Sequence, residues 1–449
     1  MKYDLIVIGA GTGGFDCAVN AAQLGLKTAI VEKDALGGTC LNRGCIPTKL
    51  MLGATSAVEE LHAQAKLKLA EGEIRVNWAA LQDRKAKLLA GSRKAMAQRL
   101  KSLGVDLYEG EARIVAPGRV EISAETASVP LEYATLVVAT GCRPSSFPGL
   151  APDGEAVLDS DGFLALESIP KSLIVIGAGF IGLEMAQVAH RMGAEIHLLD
   201  ALDRVASYED PEISKVLQSV FRRWKWDVRL GVKVASVTTE SGKARLVLNS
   251  GDTIEADKAL IAVGRRPNTE GLGLEKLGVE LVGPGWIKTD NQLRAAENVY
   301  ALGDVNGRIQ LAHAASHQAR YLARLMAGKS TETYSSGPIP SVLYGSPECM
   351  RVGLMPADLE KTNRPYEVTT SPWAANPIAQ AHAATQGFAS VIWSEGRVVG
   401  VMAVGHDASR FVAAATIMVQ EGWTRKQAEE LIFAHPTLDE ALMHALLGN

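Results

Sequence analysis

The stretch "YDLIVIGAGTGG", residues 3–14, decides how the chain begins to fold. A short apolar run rich in β-forming residues leads into a Gly-x-Gly-x-x-Gly pattern at Gly9, Gly11 and Gly14, and a helical stretch follows. A second strand, "TAIVEKD", passes through Glu32. This order is typical of the βαβ unit that binds a dinucleotide, with the pyrophosphate at the helix N-terminus and the acid on the ribose.

The same pattern recurs in "SLIVIGAGFIGLEMAQVAHRMGAEIHLLD", residues 172–200, at Gly177, Gly179, Gly182 and Asp200. In both copies 23 positions separate the first glycine from the acid. Such a matched duplication predicts two nucleotide sites, and the simplest assignment is FAD for one and a nicotinamide nucleotide for the other.

The acids after the second motif favour NAD over NADP. Asp200 and the nearby Asp203 would repel a 2′-phosphate, although Arg204 lies close as well.

Composition places the chain among ordinary globular proteins. A length of 449 residues suggests about three domains. The net charge of −4 argues against a nucleic-acid binder, and no apolar or polybasic run indicates a membrane partner. The N-terminus turns straight into the glycine motif without a signal-peptide pattern, so we expect a cytoplasmic protein. A close cysteine pair there is more often catalytic or metal-binding than a structural bridge.

Two of the five cysteines lie in "GGTCLNRGC", residues 37–45. Five positions along a helix rise about 7.5 Å, which exceeds the usual Cα separation in a disulfide, so Cys40 and Cys45 need the bend that the intervening Asn-Arg-Gly allows. Pro47 suits the first turn of a following helix, whose dipole would stabilise a Cys45 thiolate. A structural bridge, a metal corner and a coincidence are alternatives, but this stretch has no further metal ligands, and redox chemistry is favoured.

The chain resembles the flavin-dependent pyridine nucleotide–disulfide oxidoreductases and, among them, the dihydrolipoamide dehydrogenases. The resemblance covers almost the full length, and its motifs appear in family order as "GAGTGG", "LGGTCLNRGCIPTK", "VIGAGFIGLE", "AVGRRPNT", "NVYALGDVNG", "LAHAASHQAR" and "AHPTLDEAL".

The resemblance implies an α/β fold with two Rossmann-like dinucleotide-binding domains plus a C-terminal α+β dimerisation domain. The expected boundaries are an FAD-binding domain at 1–148, an NAD-binding domain at 149–270, a central domain completing the FAD site at 271–335, and a dimerisation domain at 336–449.

The resemblance also implies further cofactor-binding residues. Asp304 would bind the sugar-alcohol chain of the flavin, and a helix from about Ala312 would direct its N-terminus at the flavin ring. Lys49 and Glu184 would pair near the flavin. The remaining implied positions are Lys33, Gly38, Thr39, Thr140, Gly141 and His313 for FAD, and Gly264 beside the nicotinamide nucleotide.

A lone histidine is usually structural or solvated, but the resemblance gives His435 in "AHPTLDE" a chemical role. It implies an acid–base group, oriented by Glu440, that reaches the Cys40–Cys45 pair of the other subunit. An active site shared in this way implies a homodimer.

The implied reaction is oxidation of dihydrolipoamide, carried on a lipoylated carrier protein, by NAD⁺ through a Cys40–Cys45 disulfide and FAD. Cys40 would be the interchange sulfur. The alternatives are another NAD(P)H-dependent disulfide reductase of the glutathione reductase type, which would be expected to show arginines at 200 and 203, and a non-catalytic subunit that binds lipoyl carriers.

Some features depart from the family or have no assigned role. Arg43 and Asp439 add charge near the reacting sulfurs, which predicts a shifted disulfide potential. Three further cysteines, Cys17, Cys142 and Cys349, are expected to be small buried apolar residues. The stretch from Val58 to Leu103 is expected to form one or two exposed helices, to which no function is assigned.

Overall fold

The computed structural model describes residues 1–123 and 128–448. The chain groups into two units of discontinuous segments. Unit 1 comprises Met1–Pro47, Gln82–Ser145 and Gly264–Ser336, and unit 2 comprises Thr48–Leu81, Ser146–Val263 and Gly337–Asn449. The four domain boundaries expected from the sequence stay predictions.

The α-helices of the described residues are α1 (Thr12–Gln23), α2 (Gly38–Arg43), α3 (Cys45–Lys66), α4 (Trp78–Ser102), α5 (Ser160–Leu164), α6 (Phe180–Arg191), α7 (Pro211–Arg223), α8 (Ala312–Met326), α9 (Pro356–Lys361), α10 (Pro377–Ala381), α11 (Val412–Glu421), α12 (Arg425–Glu430) and α13 (Asp439–Leu447). Short 3₁₀ turns occur at Leu274–Leu277, Gly303–Asn306, Trp373–Ala375 and Ala408–Phe411.

The strands are β1 (Lys2–Ile8), β2 (Thr28–Glu32), β3 (Asp106–Glu109), β4 (Glu111–Ala116), β5 (Arg119–Ser123), β6 (Ser128–Val138), β7 (Cys142–Pro144), β8 (Val157–Leu158), β9 (Ser172–Ile176), β10 (Glu195–Asp200), β11 (Asp227–Leu230), β12 (Val234–Glu240), β13 (Lys243–Leu248), β14 (Thr253–Ala256), β15 (Lys258–Ile261), β16 (Arg265–Pro267), β17 (Leu281–Val282), β18 (Trp286–Ile287), β19 (Arg294–Ala296), β20 (Val299–Ala301), β21 (Ser341–Leu343), β22 (Glu348–Gly353), β23 (Glu367–Pro372), β24 (Phe388–Ser394) and β25 (Arg397–Gly405).

Unit 1 is built on a parallel sheet in the order β20-β6-β1-β2-β3. The run that opens the chain supplies the central strand β1, in which five of seven residues are buried, including the last four in succession, as expected for a strand covered on both faces. Ile8 lies opposite Val31 of β2 and Val138 of β6, and Ala301 of β20 also lies opposite Val138. The carboxyl ends of these strands therefore meet at one edge, which is where ligands bind in such sheets.

Unit 2 contains a second parallel sheet in the order β11-β10-β9-β15-β8. Ile176 of β9 lies opposite Leu199 of β10 and Ile261 of β15, so the second glycine motif and its acid again follow neighbouring strand ends. An antiparallel sheet, β12-β13-β14, and a five-stranded antiparallel sheet, β21-β22-β25-β24-β23, complete the unit. The five-stranded sheet carries a buried core that includes Trp373 and Phe411.

The expectation of one or two helices over Val58 to Leu103 is confirmed, since this stretch holds the end of the 22-residue α3 and the 25-residue α4. Across the described residues, no helix has both the length and the apolar character that crossing a bilayer requires.

Candidate active site

The first glycine loop joins β1 to α1 and has no room for a side chain at its first and third glycines, Gly9 and Gly14. Gly9 has a φ of +101°, and a Cβ on it would lie 2.5 Å from the Ala139 oxygen. A Cβ on Gly14 would lie 1.9 Å from the Gly9 oxygen. Gly11 is the N-cap of α1, so the N–H groups of the first turn meet no capping side chain and can bind an anion.

The Glu32 carboxylate at the end of β2 holds this loop in place. It accepts hydrogen bonds from the Ala10 N–H at 2.7 Å and from the Asp34 N–H at 2.9 Å. Burial raises the pKa of Glu32, against the opposite effect of the hydrogen bond from Ala10. An ionised carboxylate has further lone pairs, so Glu32 can still accept the ribose hydroxyls of a dinucleotide.

The second glycine loop, between β9 and α6, repeats this geometry. Gly177 has a φ of +107°, and a Cβ on it would lie 2.3 Å from the Ala262 oxygen. A Cβ on Gly182 would lie 2.0 Å from the Gly177 oxygen. Gly179, the N-cap of α6, differs because a Cβ there would meet nothing within 4 Å. Its lack of a side chain is not explained by packing within the protein.

Asp200 performs the same task in the second loop as Glu32 does in the first. It accepts hydrogen bonds from the Ala178 N–H at 2.6 Å and from the Leu202 N–H at 2.8 Å. Each acid thus binds the N–H that follows the first glycine of its motif. Both cradles fit a dinucleotide, because a free helix N-terminus, a close backbone turn and an acid converge in each.

The two cysteines lie on either side of a helix break. Cys40 is half-buried in α2, which ends at Arg43, and the exposed Cys45 is the first residue of α3. Gly44 makes the break with φ −148° and ψ −111°, so the expected bend is present without the left-handed conformation. A Cβ on Gly44 would lie 3.0 Å from the Thr39 oxygen, which is tighter than side chains normally pack.

Residues 37–45, which we call the cysteine loop, are held directly against the first glycine loop. The Gly37 N–H donates to the Ala10 oxygen at 2.8 Å. A Cβ on Gly38 would lie 2.7 Å from the Gly11 Cα, so the two backbones touch only because side chains are missing. The reacting sulfurs and the first nucleotide cradle therefore belong to one packed substructure.

The Asn42 side chain braces this loop from inside. Its amide donates to the Leu36 oxygen at 3.0 Å and to the Gly38 oxygen at 2.9 Å. Arg93 of α4 donates to the Asn42 Oδ1 at 2.8 Å. Helix α4 is thereby tied to the segment that separates the two cysteines.

The two charges that depart from the family pattern both have partners. Arg43 forms an ion pair with Asp34, and Asp439 lies 3.1 Å from Arg410. An opposite charge at contact distance weakens the field that each group exerts farther away. The shift in disulfide potential stays a prediction, and this pairing favours a small one.

Asp304 is buried in a polar cluster that the sequence did not reveal. The Cys142 thiol donates to the Asp304 Oδ2 at 2.8 Å, and the Arg265 Nε donates to the Cys142 sulfur at 2.9 Å. Burial raises the pKa of Asp304, and burial with the nearby Asp304 charge raises the pKa of Cys142 to about 12. The view of Cys142 as a plain apolar filler was wrong, although its burial was expected.

The strand exit at Thr140 is linked to Asn268 by two hydrogen bonds, each between a side chain and a backbone oxygen. The Thr140 hydroxyl donates to the Asn268 oxygen at 2.7 Å, and the Asn268 amide donates to the Thr140 oxygen at 2.9 Å. Gly141 and Gly264 both have positive φ, +66° and +112°, as sharp exits from a strand require.

The remaining residues that the resemblance implies for cofactor binding lie at helix starts or on the surface. Ala312 begins α8, as the sequence predicted, and His313 is exposed in its first turn. Lys33 is exposed and forms a surface pair with Glu111 at 3.5 Å, and Thr39 lies within α2. Their roles stay predictions.

Lys49 and Glu184 form the expected pair within unit 2. The Lys49 Nζ lies 2.7 and 2.9 Å from the two Glu184 oxygens, and the Tyr344 N–H donates to the same carboxylate at 3.2 Å. Burial raises the pKa of Glu184, while Lys49 lowers it. The Lys49 ammonium also lies 4.7 Å from the Tyr344 ring centroid, a cation–π contact.

His435 is oriented by Glu440, as expected. Its Nδ1 lies 2.8 Å from the Glu440 Oε1, and the Thr437 N–H donates to the Glu440 Oε2 at 2.9 Å. These hydrogen bonds, chiefly the one from His435, lower the pKa of Glu440. The His435 side chain is 76% exposed and that of Glu440 only 11%, so a buried carboxylate holds a ring that faces away from its own chain.

Comparison with known proteins agrees with these motifs. Residues 3–319 match the pyridine nucleotide-disulphide oxidoreductase family, and residues 339–446 match the dimerisation domain of that family. The chain belongs to this family.

Similar proteins extend over nearly the full length. A dihydrolipoyl dehydrogenase of Chlamydia muridarum is 35% identical over 99% of this chain and 96% of its own. The dihydrolipoyl dehydrogenase 3 of Pseudomonas aeruginosa is 36% identical, with 99% and 97% covered. The crystal structure of LpdA from Mycobacterium tuberculosis superposes with a TM-score of 0.91 at 26% identity, covering 98% of each chain.

Family membership confirms several of the expectations from the sequence. The fold class is confirmed, the chain is an oxidoreductase, and FAD and NAD are its cofactors. The dimerisation domain supports a homodimer. The roles of individual site residues stay predictions.

Four residues of the site were missed from the sequence. In the folded chain the Cys142 thiol donates to Asp304, and Arg265 donates to Cys142. Asn268 bonds Thr140 through its side-chain amide and its backbone oxygen, and Tyr344 contacts the Lys49–Glu184 pair through its ring and its N–H. Such contacts join distant segments and have no local spacing pattern, so the motif at residues 262–269 contains Arg265 and Asn268 but does not reveal their partners.

The two glycines of the second loop are expected to respond differently to alanine. Gly179→Ala should leave the melting temperature unchanged, since its Cβ meets nothing, yet raise the KM for NAD⁺ about tenfold by blocking close approach of the pyrophosphate. Gly182→Ala, by contrast, should lower the melting temperature as well as weaken NAD⁺ binding, because its Cβ collides with the Gly177 oxygen. Thermal melts and steady-state kinetics on the flavin-loaded enzyme test this, and an unchanged KM in Gly179→Ala would contradict it.

Lys49→Met should destabilise the enzyme more at pH 8 than at pH 5. The pKa of Glu184 in the folded state is raised above its ordinary 4.5, so stability is present at low pH and lost as pH rises through the folded pKa. Without Lys49, no cation offsets the cost of burying the charged Glu184 carboxylate at pH 8. The free energy of unfolding should therefore fall by about 2 kcal/mol at that pH, a modest loss because Lys49 is partly exposed.

Denaturant unfolding at the two pH values measures this effect. The matched control is Lys49→Met combined with Glu184→Gln, in which the pH dependence should disappear. Equal destabilisation of the single variant at both pH values would disprove the charge argument.

Cys142→Val should lower the free energy of unfolding by about 1–3 kcal/mol, because the buried Asp304 loses a hydrogen-bond donor. Cys142→Ser keeps a donor and should lose less. Denaturant midpoints and flavin retained after dialysis provide the measurements, and equal losses in both variants would show that packing alone matters.

Proposed function

We propose that the protein is a dihydrolipoyl dehydrogenase, which oxidises dihydrolipoamide on a lipoylated carrier protein with NAD⁺. The observation that carries the proposal is the packing of the cysteine loop against the first dinucleotide cradle, through the Gly37–Ala10 hydrogen bond. A cysteine pair in that place has a nucleotide cofactor as its neighbour. The curated relatives with this activity, at 35–36% identity over 99% of the chain, favour it over the glutathione-reductase-type and non-catalytic alternatives.

His435 is proposed as the base that takes a proton from the first substrate thiol. A histidine titrates near neutral pH, and thiolates, not thiols, attack disulfides. Glu440 holds the ring by its Nδ1, which leaves Nε2 for the substrate proton. The buried carboxylate also stabilises the imidazolium that forms.

Cys40 and Cys45 are proposed to form the disulfide that the substrate reduces. The substrate thiolate attacks Cys40, forming a mixed disulfide and releasing Cys45 as a thiolate. The second substrate thiol displaces Cys40, so that the dithiol becomes a disulfide and the enzyme disulfide becomes a dithiol. The start of α3 at Cys45 supports this assignment of the leaving group, since the helix dipole stabilises a thiolate there.

The chemistry that FAD supplies when bound is transfer of an electron pair between a dithiol and NAD⁺. Gly9, Gly11, Gly14 and Glu32 would hold its adenosine and pyrophosphate, and Asp304 its sugar-alcohol chain. The second cradle, with Asp200, would hold NAD⁺.

We also propose that each active site is shared between two subunits. The His435 ring is 76% exposed on the single chain although its partner carboxylate is buried, which is unusual for a residue prepared for proton transfer. The dimerisation domain supplies the second subunit that such a ring could face. We propose the cytoplasm as the compartment, in keeping with the expectation from the sequence.

Cys45→Ser should abolish NADH formation from free dihydrolipoamide while the flavin stays bound. The reason is that the leaving thiolate is lost but the nucleotide cradle is untouched. His435→Gln should lower kcat by about 10²–10⁴-fold, and His62→Gln, a change at an exposed histidine on α3, serves as the matched control. Turnover that survives in Cys45→Ser would disprove the scheme.

Mixing the two inactive variants tests the shared site. In a Cys45→Ser/His435→Gln heterodimer one site keeps both groups only if they come from different chains. Subunit exchange should then restore about a quarter of the wild-type activity, because half of the dimers are mixed and each has one intact site. No recovery, with exchange verified by mass, would place both groups in one chain.

A further inference from the structure

The segment that carries His435 is largely exposed and has no regular structure. Residues 431–438 connect α12 to α13 without helix or strand, and Ile432 in this segment is 94% exposed. Only its last residue, Leu438, is fully buried. A base must stay within hydrogen-bond reach of the proton that it abstracts. The histidine therefore depends on whatever contacts fix this segment.

Thr437 is the centre of the hydrogen bonds inside the segment. Its N–H donates to the Glu440 Oε2 at 2.9 Å, and its hydroxyl donates to the Ala434 oxygen at 2.8 Å. The other oxygen of the Glu440 carboxylate binds the His435 ring. The position of Thr437 therefore determines where the carboxylate lies and, through the carboxylate, how the ring is oriented.

Asn376 holds Thr437 from a separate part of the chain. The Asn376 Nδ2 donates to the Thr437 backbone oxygen at 2.8 Å. Among the hydrogen bonds of residues 1–123 and 128–448, no other one joins residues 431–438 to a part of the chain outside Thr424–Gly448. With this bond the N–H, the hydroxyl and the backbone oxygen of Thr437 are all used.

The Asn376 side chain is itself fixed on packed backbone. It is 4% exposed, and its Oδ1 caps α10 by accepting from the N–H groups of Ile378 at 2.9 Å and Ala379 at 3.1 Å. The Asn376 N–H donates to the oxygen of the fully buried Trp373 at 2.9 Å. Because two donors face Oδ1, the amide has one orientation, in which its –NH₂ group faces the Thr437 oxygen.

Capping α10 does not by itself require asparagine. A helix N-cap needs only a hydrogen-bond acceptor, which serine and aspartate supply equally well. Asparagine adds a donor on the same side chain, and that donor is the group that binds Thr437. The buried core of the five-stranded sheet includes both Trp373 and Leu438, so the hydrogen bond ties the exposed segment to packed structure.

We propose that Asn376 is a positioning residue for the acid–base group, acting on His435 through Thr437 and Glu440. This inference rests on the proposed function, in which His435 takes a proton from the substrate thiol. Without the Nδ2 donor, Thr437 is no longer tied to packed structure, and Glu440 loses a fixed N–H. A displacement of about 1 Å at a reacting group can lower a rate about a hundredfold, so one such contact is enough to matter.

Asn376→Ser removes this contact and keeps the cap. Serine caps a helix as well as asparagine does, but its side chain is too short to reach Thr437. With free dihydrolipoamide, the flavin-loaded variant should show a kcat about tenfold or more below wild type and a KM changed by less than about twofold. Oxidation of NADH by ferricyanide, which uses no dithiol, should change by less than about twofold.

Asn376→Asp tests the same contact at unchanged side-chain size. The carboxylate still caps α10, but at pH 8 it turns an acceptor oxygen, in place of a donor, toward the Thr437 oxygen. Repulsion then replaces the hydrogen bond. We expect kcat for dihydrolipoamide to fall at least as far as in Asn376→Ser.

A matched control separates this effect from a general loss of stability. Asp159→Ala removes the N-cap of α5, where the Asp159 side chain accepts from the Gly162 N–H at 2.9 Å. Thermal melts should show that this variant loses at least as much stability as Asn376→Ser. Its kcat for dihydrolipoamide should nevertheless equal that of the wild type.

A double-mutant cycle tests the path through the histidine. In an enzyme that already carries His435→Gln, the further change Asn376→Ser should lower kcat by less than about twofold, because residues that act as one unit give non-additive losses. A role of Asn376 that is independent of His435 would instead give the full loss in both backgrounds.

Three outcomes would overturn the inference: equal losses in the dithiol and ferricyanide assays, a full additional loss in the His435→Gln background, and a wild-type kcat in Asn376→Ser. A His435→Gln enzyme as active as the wild type would disprove the proposed acid–base role, and the positioning role with it. That result comes from the His435 variant alone, so it is distinguishable from a failure specific to Asn376.

Discussion

One backbone hydrogen bond, from the Gly37 N–H to the Ala10 oxygen, positions the chemistry of this protein. It fixes the loop that carries the sulfurs on the loop that cradles a dinucleotide. The approach is so close that a single methyl group on Gly38 would collide with the Gly11 backbone. The close approach of the two loops therefore depends on a glycine at position 38 of the cysteine motif, opposite Gly11 of the nucleotide motif.

The acids at the ends of β2 and β10 extend this logic to both nucleotide sites. Glu32 and Asp200 each bind the N–H after the first glycine of their loop as well as an N–H two residues beyond themselves. A group that recognises ribose thus also shapes the pyrophosphate turn. This double use explains why spacing between glycine and acid is the same in both copies: the carboxylate must reach its own loop before it can reach a ligand.

Local patterns predicted much of this site, and long-range contacts account for the remainder. The glycine loops, the helix break between the cysteines and the start of α8 at Ala312 follow from spacing over a few residues. The Cys142–Asp304–Arg265 cluster does not, because its members lie on three separate segments and a thiol looks like any small buried side chain in a sequence. The pairing of Arg43 with Asp34 was missed for a related reason, since charges in a sequence do not reveal their partners.

The placement of the five cysteines has a consequence for chemical reactivity. Cys17, Cys142 and Cys349 are 0–3% exposed, and burial raises the pKa of each thiol, to about 12 for the first two. Electrophiles and oxidants react with accessible thiolates, so these three are shielded from them. Attack by alkylating agents or heavy metals is thereby concentrated on Cys40 and Cys45, and the exposure that lets a substrate in makes the same pair the point at which the enzyme is poisoned.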